Sequence, residues 1–333
     1  MEPAQFEQLL AQHPRVSLAQ LPTPLTPLSR LSRLYGCRLF CKRDDLTGFA
    51  FGGNKARKLE FLMAHAQRAG ADTLIAVGAV QSNFCRMAAA AAARAEMDCY
   101  LVLGGTPPAR PSGNLILDEI LGAQLKFCDS EDWDDWEQAA VDLAEVLRAR
   151  GRHVYVMPLG GSSAVGVLGY VAGFGELMRD FKRLRDTCDH IVLASSTGGT
   201  QAGLVVGRAL AGWSGRVTGI SVASDQLGLA NDVFMLAQKA ARLTGTRVSA
   251  RDVRVDDGYV GEGYGVPTAE TLDAIEVFAR LEGIFLDRVY TGKAAAALLD
   301  YLEQERIAAD ETVVFWHTGG GVELFANPVP GTT

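Results

Sequence analysis

The chain has 333 residues, 48% of them apolar and 21% charged, with a formal net charge of −7 at pH 7. That balance describes a folded protein of roughly two domains, and its acidic sign argues against a nucleic-acid backbone as partner. No run approaches the ~18 apolar residues of a membrane helix, and the start, Met1-Glu2-Pro3-Ala4-Gln5-Phe6-Glu7, lacks the basic and apolar regions of a signal peptide. A cytoplasmic protein with no membrane partner is the expectation.

A β-rich run at 37–41 leads into Lys42-Arg43-Asp44-Asp45-Leu46-Thr47-Gly48, and the chain continues with Gly52-Gly53-Asn54-Lys55-Ala56-Arg57-Lys58. Lys55 therefore stands between a glycine pair and the first turn of an apolar-periodic helix. A helix start carries positive partial charge, and with Arg57 and Lys58 alongside it disfavours the ammonium form of Lys55. The pattern predicts an amine that acts as a nucleophile at neutral pH.

From about residue 72, short β-rich runs alternate with helix-length segments: 73–77 then 84–95, 99–103 then 114–121, and 153–157 then 164–184. The alternation continues with 191–194 then 203–210, 217–222 then 231–243, and 312–316 before a glycine-rich turn. This is the signature of an α/β protein with open, mostly parallel sheets flanked by helices. The alanines at 88–93 give a slim helix suited to close packing, and Glu131-Asp132-Trp133-Asp134-Asp135-Trp136 reads as an acidic helix start with two aromatics to bury. Pro158-Leu159-Gly160-Gly161-Ser162-Ser163 is the best candidate for a chain return between lobes.

The six cysteines form no CxxC, and the five histidines show no HxH, HxxxH or HExxH spacing. No metal site and no disulfide framework is expected.

Ligands of open α/β sheets sit beyond the carboxyl ends of the strands, and three such turns stand out. Ser195-Ser196-Thr197-Gly198-Gly199-Thr200-Gln201-Ala202-Gly203 suits a phosphate, because glycines let the backbone approach and N–H groups at a helix start cradle an anion. Its glycine spacing is neither GxxxxGK[ST] nor GxGxxG, which argues against a nucleoside triphosphate and against a nicotinamide-dependent oxidoreductase. Ala79-Val80-Gln81-Ser82-Asn83-Phe84 puts three hydrogen-bonding side chains at a second strand end, where a helix cap accounts for only one. His317-Thr318-Gly319-Gly320-Gly321 forms the third. One reactive lysine, a phosphate cradle and two polar turns are the parts that hold pyridoxal 5′-phosphate.

These residues resemble the D-cysteine desulfhydrase / 1-aminocyclopropane-1-carboxylate deaminase family of tryptophan-synthase-β-like, fold type II pyridoxal-phosphate enzymes. The likeness runs from Pro22-Thr23-Pro24-Leu25 through Gly53-Asn54-Lys55, Gln81-Ser82-Asn83 and Thr197-Gly198-Gly199-Thr200. It continues through Gly263-Tyr264-Gly265-Val266-Pro267 and Val289-Tyr290-Thr291-Gly292-Lys293 to His317-Thr318-Gly319-Gly320. The resemblance implies that Lys55 carries the cofactor, that Asn83 meets its 3′-oxygen, and that Ser196, Thr197, Gly198, Gly199 and Thr200 bind its phosphate, with Thr318 also at the cofactor. It implies Asn54, Gln81 and Ser82 around the carboxylate of a small amino-acid substrate, with Phe84 and Thr291 beside it and Tyr264 and Tyr290 facing the reacting carbons. Catalysis would fall to Lys55, Tyr290 and Ser82. A homodimer is implied, as is a small domain of residues 51–162 set into a large domain made of 1–50 and 163–333.

Within the family, ring-opening deaminases carry Glu after the Val-Tyr pair and Leu in the His-x-Gly-Gly turn, whereas this chain has Thr291 and Thr318, as desulfhydrase-like members do. A neutral hydroxyl near the pyridine nitrogen favours its protonation less than a carboxylate would, which suits elimination of a good leaving group such as thiolate. The implied reaction is elimination from D-cysteine; L-cysteate, other β-substituted alanines and the cyclopropane amino acid are the alternatives. One departure is Phe84, where the family's usual Gln-Ser-Asn-His has an imidazole. Cys85 beside it is expected in the core.

Overall fold

Strands and helices alternate along most of the chain, and the computed structural model describes residues 1–327. The first segment forms α1 (Pro3–Leu10), β1 (Leu25–Pro27), α2 (Ser29–Tyr35) and β2 (Arg38–Arg43). The next forms α3 (Lys55–Arg68), β3 (Thr73–Ala79), α4 (Asn83–Arg94), β4 (Asp98–Gly104), α5 (Asn114–Ile120), β5 (Gln124–Cys128), α6 (Trp133–Ala149) and β6 (Val154–Val156). The last contains α7 (Ala164–Leu184), β7 (His190–Ser195), α8 (Gly199–Ala211), β8 (Arg216–Ser221), α9 (Gln226–Leu243), β9 (Arg254–Asp256), α10 (Ala269–Glu282), α11 (Thr291–Glu303) and β10 (Thr312–His317).

The strands form two sheets. One has six strands in the order β1-β2-β10-β7-β8-β9, with only the β1–β2 pair antiparallel. The other has four parallel strands in the order β5-β4-β3-β6. Every strand of the smaller sheet lies between residues 73 and 156, inside the segment that separates β2 from β7. Near-continuous apolar strands such as Leu74–Val77 and Val313–Trp316 follow from burial on both faces of a parallel sheet.

Helix packing explains several small residues. A Cβ on Gly169 of α7 would lie 2.2 Å from the Arg57 carbonyl oxygen of α3, and one on Gly203 of α8 would lie 2.3 Å from the Tyr170 Cβ of α7. These three helices therefore meet backbone to backbone. In α4, Ser82 caps the start by accepting from the Cys85 N–H at 3.2 Å, and the alanines at 88–92 are buried. Among the described residues no helix is long and apolar enough to cross a membrane.

One helix start differs from the sequence pattern and one agrees with it. The helix after β7 begins at Gly199 rather than 203, because Gly198 at φ +72° turns the chain into the helix four residues earlier. The acidic turn at 131–136 does start a helix, with Asp132 accepting from the Asp134 N–H at 3.0 Å.

Candidate active site

The carboxyl ends of β3, β7 and β10 open onto one cavity of about 770 Å³ of non-atom space, its open mouth included. All three sequence-predicted turns contribute to it: Ala79, Ser82, Asn83 and Phe84 from the first, Ser195 to Thr200 from the second, and Thr318 and Gly319 from the third. Asn54 and Lys55 enter from the start of α3, and Tyr264 and Tyr290 close the opposite wall. The size fits a cofactor with a small substrate.

The Lys55 amine donates to the Gly160 carbonyl at 3.1 Å, and the Lys58 amine, one turn along α3, donates to the same oxygen at 3.2 Å and to Ser162 Oγ at 3.2 Å. Burial pushes the Lys55 amine down to about 8. Lys58 is pushed down further, by burial and then by Lys55 itself. The cause expected from the sequence is corrected in part. Arg57 does not act on Lys55: it turns to the far side of α3 and donates to Asp44 at 2.8 and 2.9 Å and to Glu176 at 3.0 Å. Desolvation, not a neighbouring guanidinium, lowers the lysine.

Gly160 has φ +60°, and a Cβ there would stand 2.7 Å from Thr197 Oγ1 and 3.2 Å from Lys55 Nζ. The 158–163 stretch, which in sequence reads only as a chain return, is thus a working wall of the site. Its Ser162 hydroxyl meets Thr197 Oγ1 at 2.7 Å, tying the turn after β6 to the turn after β7.

The turn after β7 has the properties of an anion cradle. The N–H groups that open α8 lack intrahelical acceptors, Ser195 Oγ is buried without a hydrogen-bond partner among the described residues, and Thr200 Oγ1 accepts from Asn54 Nδ2 at 3.0 Å. A Cβ on Gly199 would approach Ser162 Oγ to 2.5 Å and Lys58 Nζ to 2.6 Å, so the backbone there has no room for a side chain. Helix N-terminus, hydroxyls and amines form a donor set that suits a phosphate ester.

On the opposite wall the Tyr264 and Tyr290 hydroxyls are hydrogen-bonded to each other. Burial pushes Tyr264 up to about 12 and Tyr290 well above its ordinary value, so both stay protonated at neutral pH. Asp287 shapes the turn that presents Tyr290, accepting from the N–H groups of Val289, Tyr290 and Thr291 at 3.0, 2.7 and 2.9 Å. Lys293 donates to the carbonyls of Val260 and Gly263 at 2.6 and 2.8 Å and so anchors the loop that carries Tyr264.

Two expected substrate contacts lie elsewhere, and two residues read as structural lie inside. Gln81 does not line the cavity; its side chain bonds to the Ser112 carbonyl at 2.9 Å and to the Asn114 N–H at 2.8 Å. Thr291 is fully buried at the start of α11, with Oγ1 donating to Asp287 at 2.6 Å, and does not line the cavity. Trp133, expected only to fill a core, lines the cavity together with Trp136 and packs edge-on against Tyr264 with ring centroids 5.9 Å apart. Phe84 is buried, and the Lys55 amine stands 5.9 Å from its ring centroid. Cys85 is buried in the core, its thiol pushed up by desolvation.

The two-sheet fold and this lysine-centred cavity define a pyridoxal-phosphate enzyme of fold type II. Residues 16–319 match the family model described as pyridoxal-phosphate dependent enzyme, and the chain belongs to that family, whose members use pyridoxal 5′-phosphate. Within it the chain groups with the D-cysteine desulfhydrases and 1-aminocyclopropane-1-carboxylate deaminases. It is 42% identical over 326 residues to the D-cysteine desulfhydrase of Yersinia enterocolitica, spanning 96% of this chain and 98% of that one. The Serratia proteamaculans D-cysteine desulfhydrase is 40% identical over 329 residues, with the same coverage. A crystal structure described as an ACC deaminase homologue superposes with a TM-score of 0.90 at 38% identity, covering 98% of this chain and 97% of that one. Threonine deaminase isoform 2 from Solanum lycopersicum, at 17% identity and a TM-score of 0.68 over 96% and 84% of the two chains, shares the fold.

Proposed function

We propose that this enzyme eliminates sulfide from D-cysteine, giving pyruvate, ammonia and hydrogen sulfide with uptake of one water. The observation that carries the reading is that a lysine with a lowered pKa and a protonated tyrosine pair share one cavity with an anion cradle. Bound there, pyridoxal phosphate supplies an electron sink that acidifies the α-proton of an amino acid. Lys55 would carry it, Ser196 to Thr200 would hold its phosphate, and Asn83 and Thr318 would contact it. Asn54 and Ser82 take the substrate carboxylate.

The division of labour follows from protonation. The Lys55 amine would remove the α-proton of the substrate, because burial favours its neutral form. Tyr290 stands protonated on the opposite wall and donates toward the departing sulfur, with Tyr264 bonded to its hydroxyl. Phe84 and Trp133 exclude water around the side chain of the substrate. The 40–42% identity to D-cysteine desulfhydrases supports this choice of substrate.

We further propose a small domain of residues 51–162 set into a large domain of 1–50 and 163–333, a homodimer, and a cytoplasmic location. The deciding experiment incubates the holoenzyme with D- and L-cysteine, L-cysteate, D-serine, β-chloro-D-alanine and the cyclopropane amino acid, and measures sulfide, pyruvate and 2-oxobutanoate. Sulfide and pyruvate from D-cysteine at the highest kcat/KM support the assignment; preference for L-cysteate or the cyclopropane substrate would replace it.

A further inference from the structure

Asn83 opens α4, and Arg86 lies three residues on, where helix geometry brings the two side chains onto one face. A guanidinium has donors only, so whichever amide atom of Asn83 faces it must be the oxygen. Arg86 NH1 donates to Asn83 Oδ1 at 3.0 Å, and the Asn114 amide nitrogen donates to the same oxygen at 3.0 Å. With both contacts spent on Oδ1, Nδ2 is left for the cavity that Asn83 lines.

The clamp is itself held. Arg86 is 1% exposed, and it also donates to Asn114 Oδ1 at 2.5 Å and to the Gly52 carbonyl, just ahead of Lys55, at 3.1 Å. Asn114 is fully buried and is oriented by Gln81, whose backbone carbonyl and Oε1 accept from Asn114 Nδ2 and N at 2.8 Å each. Arg86 and Asn114 thus both hold the Asn83 amide oxygen, with Gln81 bracing Asn114 behind them, and none of the three lines the cavity.

We infer that Arg86, braced by Asn114 and Gln81, is a positioning residue that locks the Asn83 amide with its Nδ2 donor aimed into the cavity. Resting on the cofactor reading above, this donor would favour the ionised 3′-oxygen of pyridoxal phosphate. The same guanidinium, through the Gly52 carbonyl, couples that donor to the loop that delivers Lys55. A free amide would rotate between donor and acceptor and lose that preference.

The test uses Arg86→Met, Arg86→Lys, Asn83→Ala and the Arg86→Met/Asn83→Ala pair. On cofactor-free protein, ¹⁵N relaxation of the Asn83 side-chain amide should report a rigid group in wild type and a mobile one in Arg86→Met, with Arg86→Lys restoring part of the rigidity. On holoenzyme, Arg86→Met should shift the pH midpoint of the cofactor's visible band in the same direction as Asn83→Ala. Cofactor affinity should fall on the order of 10–100-fold, as loss of a hydrogen bond to a charged group implies. The double variant should go no further than Asn83→Ala alone. An equally rigid amide in wild type and Arg86→Met, or a lower melting temperature with an unmoved midpoint, would overturn the inference. The relaxation readout decides it even if wild type fails to take up pyridoxal phosphate, a result that would instead sink the cofactor reading.

Discussion

Lys55 and Lys58 donate to one carbonyl oxygen, that of Gly160, at 3.1 and 3.2 Å. Burial pushes both amines toward the neutral form, and the neighbouring Lys55 pushes Lys58 further. Below about 8 Lys55 is protonated and above it neutral, whereas an ordinary lysine stays charged to about 10.4. The rate at which cofactor-free protein captures pyridoxal phosphate should therefore rise with pH through a midpoint near 8 and level off above it; a midpoint near pH ~10 would contradict the lowered value. Lys55→Ala should keep some cofactor through the α8 cradle, yield no borohydride-fixed mass adduct, and lose roughly 10²–10⁴-fold or more in elimination.

The tyrosine pair separates two roles. Tyr290 and Tyr264 share a hydrogen bond, and both are shifted upward, Tyr290 the further. Neither will lose its proton near neutrality, so neither contributes an alkaline limb to the pH profile in that range. Tyr290→Phe should leave cofactor uptake intact and lower kcat by about 10²-fold, as expected for loss of a general acid, while Tyr264→Phe has the smaller effect. Steady-state kinetics on D-cysteine read the difference. Losses reversed in order would transfer the acid role to Tyr264.

Behind α3 a buried ionic cluster sets stability rather than chemistry. Asp44, fully buried, accepts from Arg57, Tyr170 at 2.6 Å and the Trp316 indole at 2.8 Å, while Glu176 pairs with Arg57 and Lys42. Asp44→Ala would leave the buried Arg57 to share Glu176 with Lys42, and the Tyr170 hydroxyl and Trp316 indole without their acceptor; it should cost about 3–5 kcal/mol, whereas Tyr170→Phe removes one hydrogen bond for about 1 kcal/mol. Equilibrium urea unfolding of the two variants would distinguish them. Equal losses would mean that Glu176 alone is enough to compensate the Arg57 charge.

The three ligand turns were legible because each joins a β-rich run to a glycine or polar cluster, and parallel strands bring such ends to one edge. Lys55 was legible for the same local reason. What escaped was long-range. Nothing in Pro158-Leu159-Gly160-Gly161 distinguishes a wall of the site from a loop until Lys55 and Lys58 are seen to converge on Gly160. Gln81 reads as a ligand contact from its motif, yet Asn114, thirty-three residues away, claims its side chain. Trp133 falls on the apolar face of its helix, three residues from Trp136, and so reads as core; only its approach to Tyr264 shows that it borders the cavity. The direction of Arg57 was hidden because periodicity gives the face of a helix but not which neighbour holds the partner charge.

Asp118 gives the fold a pH dependence of its own. It is fully buried on α5, neither carboxyl oxygen has a hydrogen-bond partner among the described residues, and burial pushes its pKa up to about 8, with Arg86 opposing. In the unfolded chain the same group titrates near 3.9. Between these values the folded state holds a proton that the unfolded state has released, so the stability contribution of this group is greatest below about 4 and falls as pH rises toward 8. The slope approaches at most about 1.4 kcal/mol per pH unit. Chemical unfolding of cofactor-free protein across this window should show wild type losing stability relative to Asp118→Asn, with the two curves converging at low pH. Parallel curves would mean that the carboxylate is ionised in the fold and compensated by Arg86, which would make Asp118 a partner of the Asn83 clamp instead of a bystander.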